Sequence, residues 1–216
     1  MSDSLLQRLI RSWELSGSDP FQPGASEADL SACEQKLGRS LPPEFRALYL
    51  LTNGAGPVGG NIALHALDDG ADLCVSSMSD ALRGWEWPIP DELIAFGGDG
   101  SDSIFGLWLP RHAAARPLVI EVGEILEPGC MAIAGTSFLR FLVGRTAYFL
   151  QDPEYPVEAS DLLGVPEALR ERYLVDESDE TLEAFMRWAD PDLPPGSINP
   201  YERLMTRDDV ARAAAP

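Results

Sequence analysis

Leu5, Leu6, Leu9, Ile10 and Trp13 recur at three- and four-residue intervals, which predicts an amphipathic helix over residues 3–15. The loop SGSDPFQPG behind them is rich in Gly, Ser and Pro and ends it. Ser26 then accepts from the backbone N–H near Asp29, and the Asp29 carboxylate answers the Ser26 N–H, a reciprocal cap that starts a second helix. Leu30, Cys33 and Leu37 share one face of that helix, and Gly38 suits the left-handed residue at its end. SLPPEF restarts the chain, because proline is tolerated in a first turn that has no N–H partner to lose. Phe45, Leu48, Tyr49 and Thr52 form the buried stripe of this third helix. Asn53 and Gly54, both able to take positive φ, stop it, and GAGPVGG cannot continue it.

From Asn61 the period changes. NIALHAL, DLCVSSM, ELIAF, SIFGLWL and RPLVIEV read as strands, separated by DDGA, GGDGSD and a stretch of Pro, Arg and His. Strands joined without intervening helices favour a sheet that is antiparallel or mixed. Thr136 is placed to cap another helix, in which Phe138, Leu139, Phe141, Leu142, Tyr148 and Phe149 return bulky groups to the sheet. PEALRERYL and SDETLEAFMRWAD read as two short helices, with Ser178, Asp179 and Glu180 at the positive end of the second. Beyond Asp190, PDLPPGSINP and the closing ARAAAP offer little to a sheet or a core. The fold class is therefore α+β: a single mixed, mostly antiparallel sheet with helices packed on it and an acidic helical C-terminal extension. The expected division is residues 1–150 as the α+β domain, 151–190 as helices packed on it, and 191–216 as a poorly ordered or partner-docked tail.

Charge narrows the choice of partner. Thirty-five acidic residues against 16 basic ones leave a net charge of −19, and only Lys36 is a lysine. Residues 151–216 carry −10 of this and the first 150 carry −9, so the last third is disproportionately acidic. Such a field repels phosphate backbones and anionic membranes and steers towards basic proteins, although solubility alone accounts for it equally well. Nucleic acid and membrane are therefore not expected partners. No apolar run approaches a membrane span, and Gln7, Arg8 and Arg11 interrupt the first apolar segment where a secretory leader would be unbroken, so the expected location is the cytoplasm. Cys33, Cys74 and Cys130 are odd in number and far apart, which suits buried free thiols, Cys33 on a helix and Cys74 on a strand. Fifteen arginines to one lysine suit a GC-rich bacterial genome, a matter of coding bias.

Three stretches together resemble the SUKH superfamily, which includes the fungal cell-wall-assembly regulators and many bacterial immunity proteins. SEADLSACEQKLGRSLPPEFRALYLLTNGAG at 26–56 is similar to its helix, leucine-glycine, leucine-proline helix and asparagine-glycine series. IPDELIAFGGDGSDSIFGLWL at 89–109 resembles its strand, Gly/Asp turn and strand, with PLVIEV at 117–122 as the strand after. TSFLRFLVG at 136–144 is similar to the closing helix. The resemblance covers about residues 3–150 and leaves the acidic third outside. It implies an α+β fold without a catalytic motif and, in bacteria, a cytoplasmic protein that binds and neutralises a polymorphic toxin, often a nuclease.

The local chemistry agrees with a binding role. The turn GGDGSDS, with Asp99 and Asp102, matches no EF-hand, since the twelfth position lies past the following strand. Nor is it a dinucleotide loop, because Ser103 stands where a third glycine belongs and a strand follows where a helix should. No cofactor or metal is expected. G-x-S-x-G is absent, and His65 and His112 have no local nucleophile, so no catalytic residue is assigned and the protein is not expected to be an enzyme. Candidate partner contacts are Asp68, Asp69 and Asp72, Trp85 and Trp87 in RGWEWPIP, Asp99 and Asp102, and Asp176 and Glu177. The two tryptophans fit an exposed anchor and a lid on the core equally well. Asp179 and Glu180 have a competing role at a helix start. The expected partner is a basic toxin domain, with association to a second copy left open. The alternatives are a cell-wall or signalling regulator without a toxin, and a hydrolase using Asp99, Asp102 or His65.

Overall fold

The computed structural model describes residues 4–17, 22–58, 62–67, 74–84, 92–100, 103–110, 116–123, 131–194 and 212. Eight helices and six strands occur among them. In chain order they are α1 (Leu5–Leu15), α2 (Glu27–Leu37), α3 (Pro43–Tyr49), β1 (Ala55–Val58), β2 (Ile62–Leu64), α4 (Val75–Gly84), β3 (Leu93–Gly98), β4 (Ser103–Trp108), β5 (Leu118–Gly123), β6 (Ala132–Gly135), α5 (Phe138–Phe149), α6 (Val157–Leu163), α7 (Glu167–Val175) and α8 (Asp179–Ala189). The strands form one sheet in the order β1-β2-β3-β4-β5-β6, a meander in which each strand pairs with its sequence neighbour.

The class is α+β as expected, but the sheet is not mixed: every strand pair is antiparallel, including β2 and β3, whose connection carries α4. Among the described residues the parallel pairing is an isolated bridge between Ala66 and Cys74. The helix starts follow local chemistry. Ser26 N–H donates to Asp29 Oδ2 at 2.8 Å and Asp29 N–H to Ser26 Oγ at 3.2 Å, the reciprocal cap read from the sequence. Ser4 and Gln7 do the same for α1.

Several expectations need correction. DLCVSSM is not a strand: α4 begins at Val75, with Cys74 as its cap. Cys74 N–H donates to Ser77 Oγ at 3.1 Å and Ser77 N–H to Cys74 Sγ at 3.4 Å. The buried stripe of α4 is Val75, Ser79 and Leu82, in which a serine takes an apolar place. Ser79 Oγ donates to Val75 O at 2.6 Å and accepts the Ala95 N–H at 3.0 Å, which fixes α4 to β3. Thr136 does not cap α5. Ser137 does, accepting the Arg140 N–H at 3.4 Å. Gly54 has φ +95°, whereas Asn53 keeps negative φ and uses Oδ1 to accept the Leu67 N–H at 2.9 Å. GAGPVGG does not continue the helix, as expected, and its residues Ala55–Val58 supply β1, which was not anticipated, an edge strand where a proline can sit without costing the ladder a donor. β6 and α6 were not anticipated. Cys33 and Cys74 are buried free thiols; Cys130 lies outside the described residues.

α3 and α5 meet the sheet through an aromatic seam. Phe45 stacks on Tyr49 at 4.4 Å and reaches Phe138 at 5.0 Å; Phe96 lies 5.0 Å from Phe138 and Phe105 lies 5.0 Å from Phe141. α8 packs along α5 at Gly144, where an added Cβ would stand 2.8 Å from Met186 Sδ and 3.1 Å from Met186 Cα. Described order runs past Asp190 to Pro194, and Asp190 itself has no exposed surface. No helix is long and apolar enough to cross a membrane among the described residues.

Candidate functional site

α5 carries one charged residue in the middle of its otherwise buried half, Arg145. Its guanidinium lies 5.0 Å above the Phe105 ring, and its Nε is buried without a hydrogen-bond partner. Burial pulls Arg145 below its ordinary value, and Glu121, Asp99 and Asp179 pull it the other way. Those three carboxylates come from β5, from the end of β3 and from the first turn of α8. They are distant in sequence, each acts on Arg145 as a charge, and Glu121 lines one small cavity with it.

Local structure holds each of them. Glu121 sits opposite Phe105 across the β4–β5 ladder and accepts the Ser103 hydroxyl at 2.7 Å. Asp99 follows β3 and is half-buried; its N–H donates to Ser103 O at 3.3 Å, and Gly100, with φ +76°, turns the chain back into β4. Asp179 is the first residue of α8, where a carboxylate faces unpaired backbone N–H groups.

Asp176 and Glu177 lie between α7 and α8, next to this group. The Asp176 carboxylate accepts the Ser178 hydroxyl at 2.6 Å and the Ser178 N–H at 3.1 Å. The hydroxyl bond, ahead of the other contacts, holds Asp176 below the usual carboxylate range. Asp176 thus shapes the turn into α8 in addition to carrying charge. Glu177 is exposed, and its carbonyl accepts the Tyr148 hydroxyl at 2.7 Å. Burial first, then Glu177, Asp179 and Asp176, raise the Tyr148 phenol.

The structure therefore sets Asp176, Glu177 and Asp179 together at the turn into α8 beside Tyr148 of α5, whereas Asp99, after β3, is linked to Asp179 through the charge both exert on Arg145. Asp68, Asp69, Asp72, Trp85, Trp87 and Asp102, expected beside them, lie outside the described residues. Arg145 was missed by sequence reasoning. The available signal was a lone arginine inside the apolar run FLVGRTAYF.

A second feature is a cleft of about 530 Å³ beside the sheet edge, lined by Gln22, Asn53, Gly54, Gly56 and His65 among others. His65 pairs through its backbone N–H with Phe96 O at 2.9 Å, and burial lowers its pKa, so the ring is neutral near pH 7. Its Nδ1 is buried without a hydrogen-bond partner. Among the described residues, the lining of the cleft holds neither a carboxylate nor a thiol against His65.

Comparison with known proteins adds to this picture. A search of curated proteins returns no match to the chain. The family model described as SMI1 / KNR4 family (SUKH-1) matches residues 24–144, more than half of the sequence, from the residues before α2 to Gly144 in α5. That span contains the whole sheet and the helices that enter the aromatic seam, and it stops where α8 crosses α5. The chain belongs to the SMI1 / KNR4 family (SUKH-1).

Proposed function

We propose that this chain is a non-catalytic protein-binding domain of the immunity kind, which binds and neutralises a basic toxin domain in the cytoplasm of a bacterium. The family is one of immunity-protein and cell-wall-regulator domains. The observation that carries the finer reading is Glu121 and Arg145 lining one small cavity, with the charges of Asp99 and Asp179 acting on Arg145 and Asp176 and Glu177 at the turn into α8, in a chain of net charge −19. A concentrated acidic surface steers a basic partner into contact and blocks a basic substrate groove without any chemistry of its own.

The test is growth of cells that express the C-terminal domain encoded beside this gene, with and without the chain, followed by pull-down. Rescue with a co-purifying complex supports immunity. Absence of both toxicity and complex favours the regulator reading.

A further inference from the structure

The helices after residue 150 carry an opening outside the family-matched span. Between the end of α5, α6 and α7 lies a groove of about 480 Å³, with Leu150, Tyr155, Val157 and Leu174 as its apolar lining. Leu150 is buried beneath it, but Val157 is 63% exposed and Leu174 75% exposed. Val175, adjacent to Leu174, is 88% exposed. Neighbouring exposed aliphatic groups beside a groove, unlike ones scattered singly, are the kind of surface that marks an interaction site.

The rim decides what would cover it. Asp152 and Glu167 line the groove, and Glu154, Glu158 and Glu171 are exposed on the same three segments. Arg170 also lines the groove but is paired with Asp161 at 2.7 Å, and Arg172 donates to the Thr181 hydroxyl at 3.0 Å. Asp152 and Glu167 have no ion pair among the described residues, while Arg170 is matched by Asp161, so the groove that exposes Val157 and Leu174 carries an excess of carboxylates.

From this we propose that the groove between α5, α6 and α7 is the docking site for an apolar, positively charged segment of a protein partner, an amphipathic helix with basic flanks. Such helices seat aliphatic anchors in a groove and place their charges on the rim. The inference rests on the partner-binding reading above and gives it an address outside residues 24–144, so the extension selects the partner while the family fold supports it.

The experiment titrates the full chain with a synthetic amphipathic peptide that has leucines on one helical face and arginines on the other, followed by calorimetry. Two control peptides replace arginine by glutamate or leucine by serine. The Leu–Arg peptide is expected to bind and both controls to fail. A Val157→Ala/Leu174→Ala double variant is expected to weaken binding at least about tenfold, and Glu167→Gln to weaken it less, with melting unchanged because these side chains are exposed. Equal binding by the Leu–Glu peptide, or undiminished binding by the double variant, overturns the proposal. So does self-association of the wild-type chain that the double variant abolishes, since the occupant is then a second copy.

The toxin assay separates the two readings. If the double variant still neutralises the neighbouring toxin at full strength, immunity stands and the groove falls. If the Leu–Arg peptide needs Val157 and Leu174 but no toxin is neutralised, the groove stands and immunity falls.

Discussion

Asp190, with no exposed surface, accepts the Thr136 N–H at 2.6 Å and the Thr136 hydroxyl at 2.7 Å, one carboxylate oxygen to each donor. Thr136 stands between β6 and α5, inside the family-matched span; Asp190 ends α8, well outside it. Arg140 Nη1 lies 3.7 Å from Asp190 and 3.6 Å from Asp192, and so completes the latch. Removing the carboxylate by Asp190→Ala leaves two donors without acceptors, and charge-assisted bonds of this kind are worth about 1.5–3 kcal/mol each. The expected loss is about 3 kcal/mol in a urea unfolding series, with Asp190→Asn intermediate because it retains one acceptor. An undiminished urea midpoint in Asp190→Ala would count against the latch.

Gly144 gives the second prediction, and its sign is the reverse of helix propensity. Alanine in a helix interior is ordinarily better than glycine by about 1 kcal/mol. Here the new methyl meets Met186 Cα at 3.1 Å, a backbone atom of α8 that has no rotamer to retreat into. Gly144→Ala is expected to destabilise, and Gly144→Val to do so by about 1–3 kcal/mol through displacement of α8. Thermal melting of both variants checks it.

These two contacts show where the sequence is readable. The Ser26–Asp29 cap, the Leu30–Cys33–Leu37 face and the end of α2 at Gly38 are local, decided within a few residues, and the structure has them as expected. α4 was misread because its buried stripe uses Ser79 and its cap is a cysteine, neither of which carries the apolar period of a helix. β1 was hidden by Pro57 and two glycines, tolerable only at an edge that the sequence does not mark. The acidic candidates were legible one by one. Their joint action on Arg145 was not, since it depends on how β5, the β3–β4 turn and α8 come together, and no spacing encodes that.

His65 sets a pH dependence. Burial alone lowers its folded pKa below the ordinary value of 6.5. The unfolded chain therefore takes up a proton first as pH falls, and the stabilising contribution, full above 6.5, is lost on descending through the lower folded pKa. Urea midpoints are expected to drop between pH 7.5 and pH 5, before most carboxylates protonate, and to drop less in His65→Gln. Parallel slopes for the two proteins in that window would show that His65 is not the group responsible.

Arg145 separates stability from association. Arg145→Met keeps the bulk over Phe105 and removes the charge among Glu121, Asp99 and Asp179. Loss of the cation–π contact and the repulsion left behind are expected to cost about 1–2 kcal/mol, and added salt should recover part of it by screening the three carboxylates. The same change makes the junction more negative. If this surface receives a basic partner, the association rate at low ionic strength rises in the variant and falls more steeply with salt than in the wild type. Stopped-flow association and melting across a salt series therefore give opposite signs for one substitution. A variant that is destabilised and also associates more slowly would mean that Arg145 only supports the fold, and the contact surface would then have to be sought away from the α5–α8 junction.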